Sequence, residues 1–364
     1  MANANDYGVW GLTHLNAQKV SAVGVEKVWT EVLTVAENYN RVAEALLGEW
    51  VQQTTIALEQ VELSGSGTLQ PIDEYGNPLP VRPSGNYQVG YPIQGGATAW
   101  GNNRVTRALM TVNDVRRNTF DALRRDKDWM IRHILASIFT NTSWTFNDEV
   151  PQGDSRGQGN ITIQPLANSD GVVYTLKGFA PPATDTHYLA QAAGIADATN
   201  PYPTMRRDLI EHPSNGNGTV TAYIASDLVA TTKALADFEP VASPGIRYAD
   251  TVTLSDGSEF NDTGVGDYML GRVGDVRIVE WTALPSTYII MKVDGVAPVA
   301  MREYPDASLQ GFFPEMHSPD GNRMEMRWIR YAGFGIRERV AAVVMRVGNA
   351  SYAIPTGYSA PLAV

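Results

Sequence analysis

The sequence predicts a mixed α/β chain, and three observations carry that reading. Two long amphipathic helical patterns lie in the first 140 residues, a glycine-rich aromatic stretch separates them, and short helical and β-branched runs alternate through the remainder. The first pattern runs from Glu26 to about Gln53. Val28, Val32, Val35, Tyr39, Val42, Leu46 and Trp50 recur at alternating spacings of four and three, with Glu31, Glu37, Arg41, Glu44 and Glu49 opposite. At 1.5 Å per residue such a helix is a rod of roughly 40 Å. The β-branched run from Thr54 to Leu63 then turns strand-like.

Residues 64–103 hold eight glycines and five prolines, the composition of a linker. They also hold Tyr75, Tyr87, Tyr91 and Trp100, and "YQVGYPI" sets Tyr87, Val89, Tyr91 and Ile93 on one face at period two. Disordered linkers are poor in both features. The stretch therefore predicts an extended β-hairpin, whose arms of about 20 residues at roughly 3.3 Å each reach beyond the chain's own radius of roughly 21 Å. An isolated ribbon is marginal in water, so its aromatic rings are expected to bury against another subunit.

The second long helix is expected over about 113–139. Its apolar stripe is Val115, Thr119, Leu123, Met130, Ile134 and Ile138, and Arg116, Arg117, Arg124, Arg125, Lys127 and Arg132 crowd the other side. Asp114, Asp121, Asp126 and Asp128 interleave these bases, which favours a salt-bridged solvated face over a nucleic-acid patch. Downstream, "NITIQPL" and "GVVYTLKGF" read as short strands and "DTHYLAQAAGIADA" as a helix. "GTVTAYIA" reads as a strand, "SDLVATTKALADF" as a helix capped by Ser226 or Asp227, and "DVRIVEW" and "STYIIMKV" as strands. The last third is extended, with Met324, Met326 and Trp328 on one side of a strand.

Composition excludes several functions. With 364 residues and 43% apolar content the chain can bury a sizeable core, while a net charge of −11 argues against binding that works by neutralising phosphates. The absence of cysteine removes disulfides, thiolate catalysis and cysteine zinc sites together. "MANANDYGVWG" has no signal-peptide pattern, and no apolar run is long enough for a membrane helix.

Chemical motifs are weak. "GDSRG", 153–157, matches a nucleophile elbow with Ser155, but Pro151 precedes it and a strand-like run follows, the reverse of the required strand–turn–helix. His14, His133, His187, His212 and His317 are scattered without an i, i+4 pair, so a zinc site is not expected, and His133 reads as a packed helix residue. Asp256, Glu259 and Asp262 lack the spacing of a calcium loop. No catalytic residue, cofactor or metal is assigned.

The order of parts resembles the major capsid proteins of tailed phages, the Hong Kong phage fold. "LGRVGDVRIVEWTALPSTYIIMKV", 270–293, is similar to that family's paired strands, "RYAGFGIRERVAAVVMRVG", 330–348, to its closing strand, and "AYIASDLVATTKAL", 222–235, to a strand and helix of its axial domain. The resemblance implies an N-terminal arm and helix (1–60), an extended loop (61–108), and a peripheral domain with the spine helix (109–185 and 300–350). It further implies an axial domain (186–299) and a C-terminal tail (351–364). It implies a non-enzymatic virion protein, made in the host cytoplasm, that assembles with itself into pentamers and hexamers of an icosahedral shell. Its partners would be a scaffolding protein, a portal and possible decoration proteins, with packaged DNA touched weakly and without sequence preference, and no membrane. Inter-subunit contacts are expected at Tyr75, Pro78, Leu79, Pro80, Arg82, Tyr87, Tyr91 and Trp100 of the loop, and the basic face at Arg116, Arg117, Arg124 and Arg125 of the spine.

One departure matters. Some family members weld their shells through a lysine in the extended loop, and no lysine lies between Lys27 and Lys127 here, so noncovalent contacts are expected. Two other readings compete: a compartment shell of the encapsulin type, and, more remotely, a serine hydrolase using Ser155, His187 and an aspartate.

Overall fold

Two sheets and two long helices organise the chain in a computed structural model. It describes residues 10–63, 72, 74–76, 85–102, 104–146, 161–177, 183–216, 218–240, 252–253, 259–260, 268–317 and 324–362. A short helix, α1 (Val20–Val23), leads into α2 (Val25–Leu47), which buries Val28, Val32, Val35, Tyr39 and Val42, the face its periodicity predicts. The helix ends sooner than expected. Trp50 is fully buried, and the chain passes at once into β1 (Val51–Thr54) and β2 (Leu58–Leu63). Strands β3 (Gly85–Gly90) and β4 (Ile93–Asn102) follow, then a short α3 (Arg104–Leu109).

The spine helix α4 (Val112–Phe139) starts at a capping box. Thr111 accepts from the Asp114 backbone N–H, while the Asp114 carboxylate accepts from the Thr111 backbone N–H at 3.0 Å. All six residues of the predicted stripe are buried. Asp126 is buried too, against the expectation that the aspartates face solvent. It lies three residues after Leu123 and four before Met130, so helical geometry turns it inward with them. Its carboxylate accepts from Arg330 at 2.7 and 2.9 Å and from the Tyr39 hydroxyl at 2.8 Å. Arg330 also reaches Glu303 at 3.3 Å.

Beyond the spine come β5 (Trp144–Phe146), β6 (Ile161–Ile163), β7 (Asn168–Tyr174), β8 (Ala183–Thr186) and β9 (Tyr188–Gln191). Strands β8 and β9 replace the helix expected over "DTHYLAQAAGIADA". Next are α5 (Tyr202–Ile210), β10 (Val220–Ile224), α6 (Val229–Lys233) and β11 (Phe238–Pro240). Neither Ser226 nor Asp227 caps α6; Asp227 instead accepts from the Thr287 N–H at 3.0 Å. The remaining strands are β12 (Val252–Thr253), β13 (Glu259–Phe260), β14 (Tyr268–Val273), β15 (Val276–Glu280), β16 (Tyr288–Val293), β17 (Val299–Arg302), β18 (Phe312–His317), β19 (Met324–Ile336) and β20 (Ala342–Val347).

One sheet has five strands, in the order β1, β17, β19, β18, with β4 on the other edge of β19. It packs with α2 and α4 in the main core. The other has seven strands, β11–β14–β15–β10–β16–β20–β9, over a second core with Tyr202, Met205 and Leu209 of α5. The closing segment 330–348 therefore serves both sheets. Its first half is the end of β19, and after a turn pinned by buried Arg339, which donates to the Pro165 carbonyl at 2.7 Å, its second half is β20 of the seven-stranded sheet. Trp50, Tyr223 and Trp281 join the two bodies, with ring centroids 4.8 to 5.8 Å apart, and buried Lys292 reaches Glu49 at 3.1 Å beside them.

The chain's ends fold back. Trp10, Leu12 and Val20 are buried in the main core. In the tail, the Tyr352 hydroxyl donates to the Phe139 carbonyl at 2.6 Å and the Ala360 N–H to Thr140 Oγ1 at 2.9 Å.

Candidate functional site

The hairpin is present: β2 and β3 pair antiparallel from Leu58↔Gly90 to Leu63↔Gly85. Its aromatic face, however, is buried in the chain's own structure. Tyr87, Val89 and Tyr91 are 0 to 7% exposed and pack with Ala167, Tyr174, Ala300 and Val340. The Tyr87 hydroxyl donates to the Arg337 carbonyl at 3.1 Å, and the Arg339 guanidinium lies 5.4 Å from its ring. Burial pushes Tyr87 up to about 12 and raises Tyr91 as well. The expectation that these rings need another subunit thus fails at the root of the arm. Period two identified a buried face but not what covers it, and the cover comes from Ala167, Tyr174, Ala300 and Val340, roughly 75 to 250 residues downstream.

The root is also locked by close backbone approach. A Cβ on Gly333 would sit 2.5 Å from the Pro92 carbonyl oxygen, and one on Gly335 2.6 Å from that of Gly90, so β19 needs glycine at both positions. Ten residue pairs, Met324↔Asn102 to Gly333↔Ile93, then stitch β4 to β19. Trp100 is half-buried against the main core.

Farther out the surface changes character. Among the described residues the large exposed apolar side chains are Leu33, Ile56, Leu58, Ile72, Tyr75, Val105, Leu109 and Met316. Six of the eight fall between 56 and 109, so apolar exposure is concentrated on the arm and its two bases. Tyr75 is the predicted contact residue found there, 81% exposed. Sequence reading passed over Ile56, Leu58, Ile72, Val105 and Leu109, because aliphatic residues in short runs carry no mark of exposure. Pro78, Leu79, Pro80 and Arg82 lie outside the described residues.

The basic face of the spine is solvated at Arg117, Arg124 and Arg125. Arg117 and Arg124 face Asp114 and Asp121 at 3.7 and 4.0 Å, exposed pairs that contribute little. Arg125 donates to Thr98 of β4 at 3.0 Å, and Arg116 is half-buried with its guanidinium 5.2 Å from the Phe120 ring. The His133 ring lies tilted at 41° against Trp129, centroids 4.1 Å apart, with Nδ1 donating to the Trp129 carbonyl and Nε2 at 3.0 Å from the Gln94 amide oxygen. Burial pulls its imidazole down to about 4, so the ring is neutral.

The hydrolase reading gains nothing. Ser155 lies outside the described residues, as do Asp256 and Asp262 of the weighed calcium loop, and the His187 ring is fully buried with Nδ1 donating to the Ala342 carbonyl at 2.7 Å.

No family model matches this chain, and no curated protein matches it. Solved structures do. A chain from Mycobacterium phage Patience superposes with a TM-score of 0.63 at 19% identity, covering 98% of this chain and 97% of that one. The fold is a phage capsid fold. Capsid-fold chains from the capsid of Ralstonia phage GP4 (TM-score 0.47, 9% identity, 83% and 87% covered) and from the capsid of a native GTA particle (0.47, 11%, 84% and 90%) also align. The seven-stranded sheet draws six of its strands from residues 188–293 and the seventh, β20, from 342–347, while the five-stranded sheet includes β1 and β4 from the first 102 residues.

Proposed function

We propose that this chain is the major capsid protein of a tailed double-stranded DNA phage, and that its copies assemble into pentamers and hexamers of an icosahedral shell. The observation that carries the reading is the arm. Its root is locked into its own subunit, while its outer part and bases display Ile56, Leu58, Ile72, Tyr75, Val105 and Leu109 to solvent. A lone soluble subunit gains nothing from that display. Burial against a second copy recovers about 25 cal/mol for each Å² of apolar surface covered, and repeated identical contacts close into symmetric assemblies. The full-length match to a phage chain supports the same reading. The acidic balance suits a wall that encloses DNA without gripping it. A scaffolding protein, a portal at one vertex and decoration proteins complete the proposed set of partners.

The test is assembly. Full-length chain, expressed with and without its scaffolding protein, is examined by negative-stain microscopy for closed icosahedral shells. A variant combining Ile72→Ser, Tyr75→Ser and Val105→Ser, all at exposed positions, should remain folded by circular dichroism yet fail to close shells. Sedimentation of the wild type as a subunit of about 40 kDa (39.6 kDa by sequence) under every condition would overturn the reading, as would normal shells from the triple variant. Shells that enclose a protein cargo instead of DNA would move the chain to the compartment class.

A further inference from the structure

Asp185, His187 and His212 converge at the edge of the seven-stranded sheet. Asp185 is in β8, His187 occupies the bend into β9, and His212 follows the end of α5. The Asp185 Oδ2 atom lies 2.9 Å from His187 Nε2 and 2.9 Å from His212 Nε2, and the two nitrogens are 3.3 Å apart. Both imidazoles are buried, at 0 and 1% exposure, while the Asp185 side chain keeps 18%.

The hydrogen bonding around this trio leaves a gap in its charge. His187 Nδ1 is 2.7 Å from the Ala342 carbonyl oxygen, which can only accept, so Nδ1 carries the proton. In the neutral ring the Nε2 lone pair is then aimed at a carboxylate oxygen and at a second Nε2. The three facing atoms are then held together either by protons, the first of them on His212 Nε2, or by a metal ion that takes a lone pair from each.

The geometry points to the metal: we propose that Asp185 Oδ2, His187 Nε2 and His212 Nε2 bind one divalent transition-metal ion of the zinc type, with water completing the set. Metal–nitrogen and metal–oxygen bonds of about 2.0–2.2 Å in a tetrahedron separate neighbouring ligand atoms by roughly 3.3 Å. The three separations fall within a few tenths of an ångström of that. The Ala342 carbonyl supplies the outer hydrogen bond that orients a ligating imidazole and fixes its tautomer. Asp185 is steadied in turn, because its Oδ1 accepts from the Thr186 N–H at 2.7 Å. Two imidazoles and a carboxylate suit zinc, cobalt or iron(II) and do not suit calcium or magnesium. The ion would staple β8, the bend into β9 and the end of α5 across 27 residues of sequence. This is a structural role inside one subunit, and it stands whether or not the shell reading does.

Untagged full-length chain, stripped with EDTA and dialysed, is titrated with cobalt(II). One equivalent should produce the visible d–d band of a four-coordinate nitrogen and oxygen site, and zinc should abolish that band. Zinc in hundredfold excess over its dissociation constant should raise the melting temperature by at least about 3 °C. Asp185→Asn and His212→Gln, each folded by circular dichroism, should lose the band. X-ray absorption at the zinc edge of the wild type needs no variant and should show two imidazoles and no sulfur. Absence of the band together with a melting temperature indifferent to zinc and EDTA would mean that protons alone hold the trio. A band that survives both substitutions, or a spectrum with fewer than two imidazoles, would equally overturn the site.

Discussion

Replacing Asp126 by Asn tests the buried centre of the body built on the spine helix. In the wild type the Asp126 carboxylate takes both arms of the Arg330 fork and the Tyr39 hydroxyl, with the two charged side chains only 2 and 4% exposed. Asparagine keeps the shape but loses the charge, and its NH2 group must face a donor. Removing one partner of a buried pair costs about 3–5 kcal/mol, since the other charge is left uncompensated. Glu303 remains 3.3 Å from Arg330 and offsets part of that loss, which places the expectation at the lower end, about 3 kcal/mol. Against a typical total of about 5–15 kcal/mol that is a large fraction. Urea unfolding of the unassembled subunit, followed by tryptophan fluorescence, reads it as a fall in midpoint at unchanged slope. A second variant, Asp126→Leu with Arg330→Met, removes both charges and should recover most of the loss. A loss below about 1 kcal/mol for Asp126→Asn, or a double variant no better than the single one, would refute the claim that the pair is a desolvated, mutually dependent unit.

Three further outcomes follow from particular contacts. Because burial lowers His133 to about 4 from its ordinary 6.5, the unfolded chain takes up a proton there before the folded one does. Its contribution is whole above pH 6.5 and is lost as pH falls towards 4, by up to about 3 kcal/mol, so the stability difference between wild type and His133→Gln should change across that window and be flat above it. Gly333→Ala, with a Cβ 2.5 Å from the Pro92 carbonyl oxygen, should cost about 1–3 kcal/mol in the same urea assay, and a neutral result would show that the arm's root is not tightly packed. Denatured particles should run as a 39.6 kDa monomer, since no lysine lies between Lys27 and Lys127; a ladder of covalent multimers would contradict this.

What the sequence disclosed and what it concealed divide along the range of the interactions involved. The spine helix was legible because 28 residues of 3.6-residue periodicity, begun by a capping box, are a local property. Strands β10 and β16 were legible for a related reason: buried along their whole length, they read as largely apolar runs, while β15 sets Val276, Ile278 and Val279 inward between half-buried Arg277 and Glu280. The segment around Tyr188 misled because its alanines favour a helix, while its actual partner, β20, lies more than 150 residues downstream and holds it extended. Asp126 could have been singled out, since it shares the stripe of Leu123 and Met130. The trio of Asp185, His187 and His212 could not, because its members meet only through the fold. The arm sits between these cases, with its alternation visible in the sequence and its burial against Ala167, Tyr174, Ala300 and Val340 invisible there.

The pairing of β4 with β19 has a mechanical consequence. Ladder hydrogen bonds lie across the strands, so a pull transmitted along β4 loads the ten paired positions side by side instead of one after another. Such a joint yields only when many bonds fail together. A neighbour tugging on the arm would therefore stretch the contacts between subunits before it drew the arm from its socket, and swelling of an assembled wall would be taken up at its seams while each tile kept its shape.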